Sequence, residues 1–266
     1  MSLPPTSPMR RRFLAGTAGA ALLSLAPHAR ADEPVIAAAS DLKFALDEIV
    51  EAFQRETGGR IKIAYGSSGN FAMQIRNGAP FQLFLSADEA YIQQLQKDGL
   101  TRDEGQLYAT GRIVLFAAHA SPVAVDEEWK GLKAFVQQGR LQRFAIANPD
   151  HAPYGQRAVE ALKAAGLWEA VKPKLVLGEN ISQAAQFAAT GSAQAGIIAL
   201  SLAKAPQIGN MGRYALIPAS WHAPLHQRMV LMKKAGPTAQ AFYAFLQQSA
   251  ARAVLDRYGF TLPGRS

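Results

Sequence analysis

The chain has 266 residues, 49% of them hydrophobic and 18% charged, with 22 Gly, 15 Pro, no Cys and a formal charge of +8. This apolar fraction excludes a disordered or collagen-like chain and, at roughly 150 residues per domain, bounds the fold to one or two domains. The absence of Cys excludes disulfides, thiolate metal sites, Cys nucleophiles and a Cys-linked lipid anchor.

The chain opens with Arg10-Arg11-Arg12, an apolar run from Phe13 to Ala26, and Ala29-Arg30-Ala31. A basic stretch, a short apolar run and an A-x-A site describe a signal peptide cut after Ala31, so residues 1–31 read as an export address to the periplasm. Arg10-Arg11-x-Phe13-Leu14 resembles the twin-arginine type of signal, the alternative being an ordinary secretory signal rich in Arg. No later apolar run reaches about 18 residues, so no membrane insertion is expected. Cleavage removes four of the 28 basic residues and no acid, leaving 24 against 20 and a net charge of +4. The remaining Lys and Arg are scattered, with no basic stripe interleaved with aromatics, which argues against nucleic acid as a partner.

Along the mature chain, Val35 to Ala39 reads as a buried strand, and Leu42, Leu46, Ile49, Val50 and Phe53 as one face of a helix stopped by Gly58-Gly59. Ile61 to Tyr65 predicts a second strand, 66–70 a turn, Phe71 to Arg76 a short helix, Leu83 to Leu85 a third strand and Ala90 to Lys97 a helix. A second series starts after Gly111. It comprises a strand from Ile113 to Ala118, a helix near Lys133 to Gln138, a strand from Phe144 to Ala147, a helix from Tyr154 to Ala165, a strand from Leu175 to Leu177, a helix from Ser182 to Ala189 and a strand at 196–199. Tyr214 to Ile217 and Arg228 to Met232 are further apolar runs around a polar segment at 220–227, and one last helix is expected from Ala239 to Leu255. Strands alternating with helices imply mostly parallel sheets covered on both faces. No Ser/Gly linker divides the series, which favours two packed lobes over two separate beads.

Few catalytic patterns are present. Ser67 and Ser68 lie in a Gly-flanked turn that is not G-x-S-x-G, and no His and acid pair is evident to complete a triad. His222 and His226 are four apart but bracket Pro224, which opposes the helix that would align them on a metal, so the histidines read as surface residues. No phosphate-binding or dinucleotide motif occurs, so no cofactor is expected. What recurs is a polar or turn residue where a strand meets a helix: Ala39-Ser40, Ser67-Ser68, Pro153-Tyr154-Gly155 and Asn180-Ile181-Ser182. Ligand crevices of α/β sheets lie beyond the carboxyl ends of strands, where free N–H groups and positive helix dipole ends gather. Four such ends together would bind an anion without a basic side chain, although Ser and Asn are also simply good helix caps.

AAASDL at 37–42, YGSSGN at 65–70, Gly78-Ala79-Pro80 with LFLSAD at 83–88, NPDHAPYG at 148–155, GENIS at 178–182 and RYGF at 257–260 together resemble the periplasmic molybdate-binding proteins of ABC importers. The resemblance implies an α/β fold of the type II periplasmic binding class. It has two lobes, each a mostly parallel sheet flanked by helices, joined by two crossover segments; lobe 1 is expected at 32–112 and 219–266 and lobe 2 at 113–218. It further implies a non-enzymatic, monomeric protein that carries molybdate, and tungstate with it, to a membrane permease. The implied ligand residues are Ser40 and Ser68 through hydroxyl and amide, Tyr154 and Ile181 through amides, and Asp41 through its amide, with no direct metal ligand. Ala199 stands where many members have a ligand Tyr, and the Tyr154 hydroxyl is expected to replace that donor. A site made only of donors would reject hydrogen phosphate, whose O–H needs an acceptor, and Asp41 is expected to turn its carboxylate away from the dianion. Sulfate would be excluded by cavity size. The competing readings are a binding protein for sulfate, chromate or an organic anion, and a secreted serine hydrolase.

Overall fold

A computed structural model describes residues 1–2 and 33–264. The export signal and its cleavage site lie outside the described residues.

Among the described residues, ten strands form two five-stranded sheets. They are β1 (Val35–Ala39), β2 (Lys62–Gly66), β3 (Leu83–Ser86), β4 (Gln106–Gly111), β5 (Ile113–Ala118), β6 (Phe144–Ala147), β7 (Leu175–Gly178), β8 (Ala195–Ala199), β9 (Gly212–Leu216) and β10 (Leu225–Leu231). The helices are α1 (Lys43–Thr57), α2 (Ser68–Arg76), α3 (Glu89–Lys97), α4 (Lys130–Gln137), α5 (Pro153–Ala164), α6 (Trp168–Val171), α7 (Ile181–Ala189), α8 (Leu200–Lys204), α9 (Pro206–Gly209), α10 (Pro237–Phe245) and α11 (Ser249–Arg257). The first sheet has the order β2-β1-β3-β10-β4 and the second β7-β6-β8-β5-β9. In both, the first three strands are parallel and the fourth runs antiparallel to its two neighbours. The sheets are therefore mixed around a parallel core, rather than simply parallel.

The chain passes between the sheets twice. Arg112 alone separates β4 from β5, and 217–224 lead from β9 to β10. The two passages touch, since the Arg112 guanidinium donates to the Ile217 carbonyl at 3.1 Å. Trp221, in the second passage, packs edge-on to buried Trp129 of the second sheet's layer, with ring centroids 5.2 Å apart.

Local sequence explains most elements. The apolar runs of β1, β3, β5, β6 and β8 are buried almost throughout because helices cover both faces. On α1 the residues at helical spacing, Leu46, Ile49 and Phe53, are buried, and the helix ends where Gly58 adopts φ +70°. Phe53 packs edge-on against Phe242 and Phe245 of α10, with centroids 5.1 and 5.4 Å away. The expected helix from Ala239 to Leu255 is two, α10 and α11, interrupted at 246–248. Strand β4 was not expected, and β10 starts within the segment read as polar. The second core extends through Ala39, Ala87 and Leu225, which come from the first sheet's part of the chain, so the two layers are welded where β1, β3 and β10 meet the second sheet's helices.

Candidate functional site

The carboxyl ends of β1 and β2, with Ala87 just beyond β3, face one small cavity of about 10 Å³. All five expected residues, Ser40, Asp41, Ser68, Tyr154 and Ile181, line it, together with Ser67, and no lining residue carries a positive charge. Ligand pockets for organic molecules of drug size run to about 300–1,000 Å³; this cavity is more than tenfold smaller and has room only for a small ion.

Each wall comes from a strand-to-helix junction. Ser40 to Leu42 continue β1 as one turn of 3-10 helix. Ser68 opens α2, and Ser67, which precedes it, makes no side-chain cap. Pro153 opens α5 and has no N–H of its own, so Tyr154 supplies the first helical amide. Gly155 follows because a Cβ there would collide with the Ala147 carbonyl at the end of β6. Ile181 opens α7 after the cap Asn180, whose side chain accepts from the Gln183 amide. Among the described residues the Ser68, Tyr154 and Ile181 amides have no hydrogen-bond acceptor. They sit at the N-termini of three helices of 9, 12 and 9 residues, where partial positive charge accumulates. The Ser68 hydroxyl oxygen accepts from the Ala87 amide at 2.9 Å, which leaves its proton for another acceptor.

The remaining polar groups tie the two halves together around the cavity. The Ser40 hydroxyl donates to Asn180 Oδ1 at 3.0 Å and accepts from the Ser182 amide, while the Ser182 hydroxyl donates to the Ser40 carbonyl at 2.8 Å. Gly69 N–H donates to the His151 carbonyl at 2.9 Å, and the Ser67 hydroxyl lies 2.8 Å from His151 Nδ1. His151 is thus a clasp between the halves and not a free surface residue, and His222 is buried as well. Glu179 stands 3.6 Å from His151 Nε2, so a Ser, His and acid do align, which the sequence had not suggested. The alignment does not make a hydrolase: Ser67 is 5% exposed at the junction of the halves, Glu179 is outside hydrogen-bond range, and the cavity has no room for an ester with a side group.

Behind the cavity lies a buried polar cluster. Asp41 Oδ2 accepts from the Tyr154 hydroxyl at 3.0 Å and from Gln227 Nε2 at 2.6 Å, and the Tyr108 hydroxyl donates to Gln227 Oε1 at 2.7 Å. The Tyr154 hydroxyl is therefore committed to Asp41 and does not stand in for the donor missing at Ala199, which is itself fully buried. Asp41 commits Oδ2 to Tyr154 and Gln227, whereas Oδ1 is sealed from solvent without a hydrogen-bond partner. Asp41 lines the cavity, so an acid stands among the donors of the site. Burial raises the Asp41 carboxyl to about 6, against the lowering effect of the Gln227 and Tyr154 hydrogen bonds and of its own backbone amide. Burial, with the Asp41 charge beside it, likewise holds the Tyr154 hydroxyl well above its ordinary range.

Residues 34–261 match the family model of bacterial extracellular solute-binding proteins. The molybdate-binding protein ModA of Azotobacter vinelandii is 37% identical over 247 residues, covering 92% of this chain and 95% of that protein. The structure of the periplasmic molybdate-binding protein of Azotobacter vinelandii superposes with a TM-score of 0.79 at 29% identity, over 87% of this chain and all of that one. The sulfate-binding protein SubI of Mycobacterium tuberculosis shares the fold, with a TM-score of 0.71 at 14% identity over 87% of each chain. The backbone arrangement is common to both.

Proposed function

Because the chain belongs to the bacterial extracellular solute-binding proteins and is similar over nearly all its mature length to molybdate-binding members, we propose that it binds molybdate in the periplasm and delivers it to the permease of an ABC importer. The observation that carries this reading is the convergence of three unpartnered helix N-terminal amides, from Ser68, Tyr154 and Ile181, on one small cavity free of cations. Such a site stabilises a dianion with fixed dipoles and leaves no mobile charge to be neutralised by other ligands. The Ser68 hydroxyl, whose oxygen is already held by the Ala87 amide, adds a donor of fixed direction. Ser40 and Ser182 join the halves beside the anion, and Asp41 holds the Tyr154 ring whose backbone amide faces it.

Tungstate, of the same charge and nearly the same size, fits the same donors. Sulfate is smaller, so a cavity held rigid by these contacts stretches its hydrogen bonds. Charge-assisted bonds contribute about 1.5–3 kcal/mol each, so weakening two of them lowers affinity about a hundredfold or more. The protein is exported by the twin-arginine route, cleaved after Ala31 and acts as a monomer. Its lobes, 32–112 with 219–266 and 113–218, close on the anion about Arg112 and the second crossover. Calorimetry with molybdate, tungstate, sulfate and phosphate tests the reading. Tight molybdate and tungstate binding with sulfate at least a hundredfold weaker is expected; tight sulfate binding without molybdate would overturn the proposed ligand.

A further inference from the structure

Asp41 is at odds with the rest of the cavity. An acid whose side chain is 1% exposed forms part of the wall of a site for a dianion, and no Lys, Arg or His lines that wall to offset it. The fold nevertheless invests in its position. The β10–β4 ladder breaks register between Gln227 and Arg228, a bulge that re-aims the Gln227 side chain at Oδ2. The Tyr108 hydroxyl holds the far end of that amide, so its NH2 faces the carboxylate. Gly111 leaves room for the cluster, since a Cβ there would collide with the Tyr154 hydroxyl. All this satisfies Oδ2 and leaves Oδ1 alone, buried and unpartnered.

We propose that Asp41 takes up a proton on Oδ1 when the anion binds, so that the carboxylate becomes a hydroxyl donor and the dianion enters a neutral wall. This rests on the reading of the cavity as an oxyanion site. The proton comes from the solvent or its buffer, one for each anion bound, and no covalent bond in the anion changes. Burial already raises the carboxyl to about 6, and a dianion at hydrogen-bond distance raises it further by like-charge repulsion. The titratable groups that face Asp41 are the hydroxyls of Tyr108 and Tyr154, both held protonated by burial and by the Asp41 charge. From α8, Ser201 bonds only the Asp41 carbonyl, and from α7, Ser182 bonds Ser40. The nearest cation in sequence, Lys43, pairs with Asp47 at 3.2 Å.

The test is molybdate calorimetry on the mature protein at pH 7 and 8, in buffers of different ionisation enthalpy. Molybdate is fully ionised there, so protons taken up belong to the protein. The expected result is an uptake approaching one proton per anion and a dissociation constant that rises about tenfold from pH 7 to pH 8. In Asp41→Asn, whose NH2 replaces the unpartnered oxygen with a permanent donor, binding is expected to be independent of pH and of buffer. Molybdate binding in the wild type with no buffer dependence overturns the proposal while the oxyanion reading stands, and uptake retained in Asp41→Asn does the same. Absence of molybdate binding in every buffer overturns the oxyanion reading, and the proton with it.

Discussion

Replacing Tyr154 by Phe separates two roles that a tyrosine in a ligand site can play. The side chain is 2% exposed, and its hydroxyl donates to Asp41 and accepts from Gln227 Nε2 at 3.1 Å. Tyr154→Phe therefore removes a buried hydrogen bond to a charged carboxylate at pH 8 and to a neutral carboxyl at pH 5. The cost is about 1.5–3 kcal/mol in the first case and about 1 kcal/mol in the second. For a domain of this size each kcal/mol lowers the melting temperature by about 2–4 °C, giving a loss of about 3–12 °C at pH 8 and about 2–4 °C at pH 5. The unpartnered Tyr154 amide is untouched, so molybdate affinity should stay within about fivefold of wild type, well short of the roughly tenfold or greater loss that removing a charge-assisted bond produces. Thermal unfolding followed by circular dichroism at both pH values, with calorimetry on the same samples, measures both quantities. A tenfold or greater loss of affinity with an unchanged melting temperature would refute the reasoning, because the hydroxyl would then be a ligand.

Other outcomes follow from the same geometry. Ser68→Ala removes a directed hydroxyl and leaves the Ala87 amide unpaired, so molybdate affinity should fall by about 10- to 100-fold in calorimetry, whereas an unchanged affinity would take Ser68 out of the site. At Gly69 a Cβ would stand 2.6 Å from the His151 carbonyl, so Gly69→Ala should keep the halves from meeting. It is expected to weaken binding by tenfold or more and to abolish any compaction on adding molybdate in small-angle scattering; compaction equal to wild type would contradict this. Finally, the raised Asp41 carboxyl makes the folded chain hold a proton that the unfolded chain releases between about pH 4 and pH 6. Stability without ligand therefore falls across that window as pH rises, by about 3 kcal/mol, and is level above it. The urea midpoints of wild type and Asp41→Asn should diverge over this range; a constant difference from pH 4 to pH 7 would rule the effect out.

Much of the fold is legible in the sequence because parallel core strands are continuous apolar runs and their helices show a clear apolar face, as β1, α1, β6 and α7 do. Strand β4 is not, since Gln106 to Gly111 is half exposed and carries Thr and Gly; its partner β10, and not its own composition, holds it in the sheet. The start of β10 hides for a related reason. Its Gln227 points into a buried cluster whose other members are 73 to 186 positions away. The interruption between α10 and α11 carries no Pro or Gly to announce it. At the site, the recurrence of polar residues at strand-to-helix junctions points to the walls of the cavity. It says nothing about which atom of each residue faces inward, and the Tyr154 hydroxyl and His151 are where that matters. Both are set by contacts across the cleft, which no local pattern records.

The order of the strands also bears on how the molecule is made. The second sheet is built from one continuous stretch, β5 to β9, so every strand it needs is present once residue 216 has been synthesised. The first sheet is not: β4 reaches it only through β10, which is separated from β3 by more than a hundred residues. Closing that loop is entropically costly and waits on the intervening chain. The second sheet is therefore expected to assemble first and to act as the folded bridge that brings β10 back to β3. Until β10 inserts, β3 and β4 present unpaired edges, the interval in which the nascent chain is most open to aggregation and to capture by chaperones.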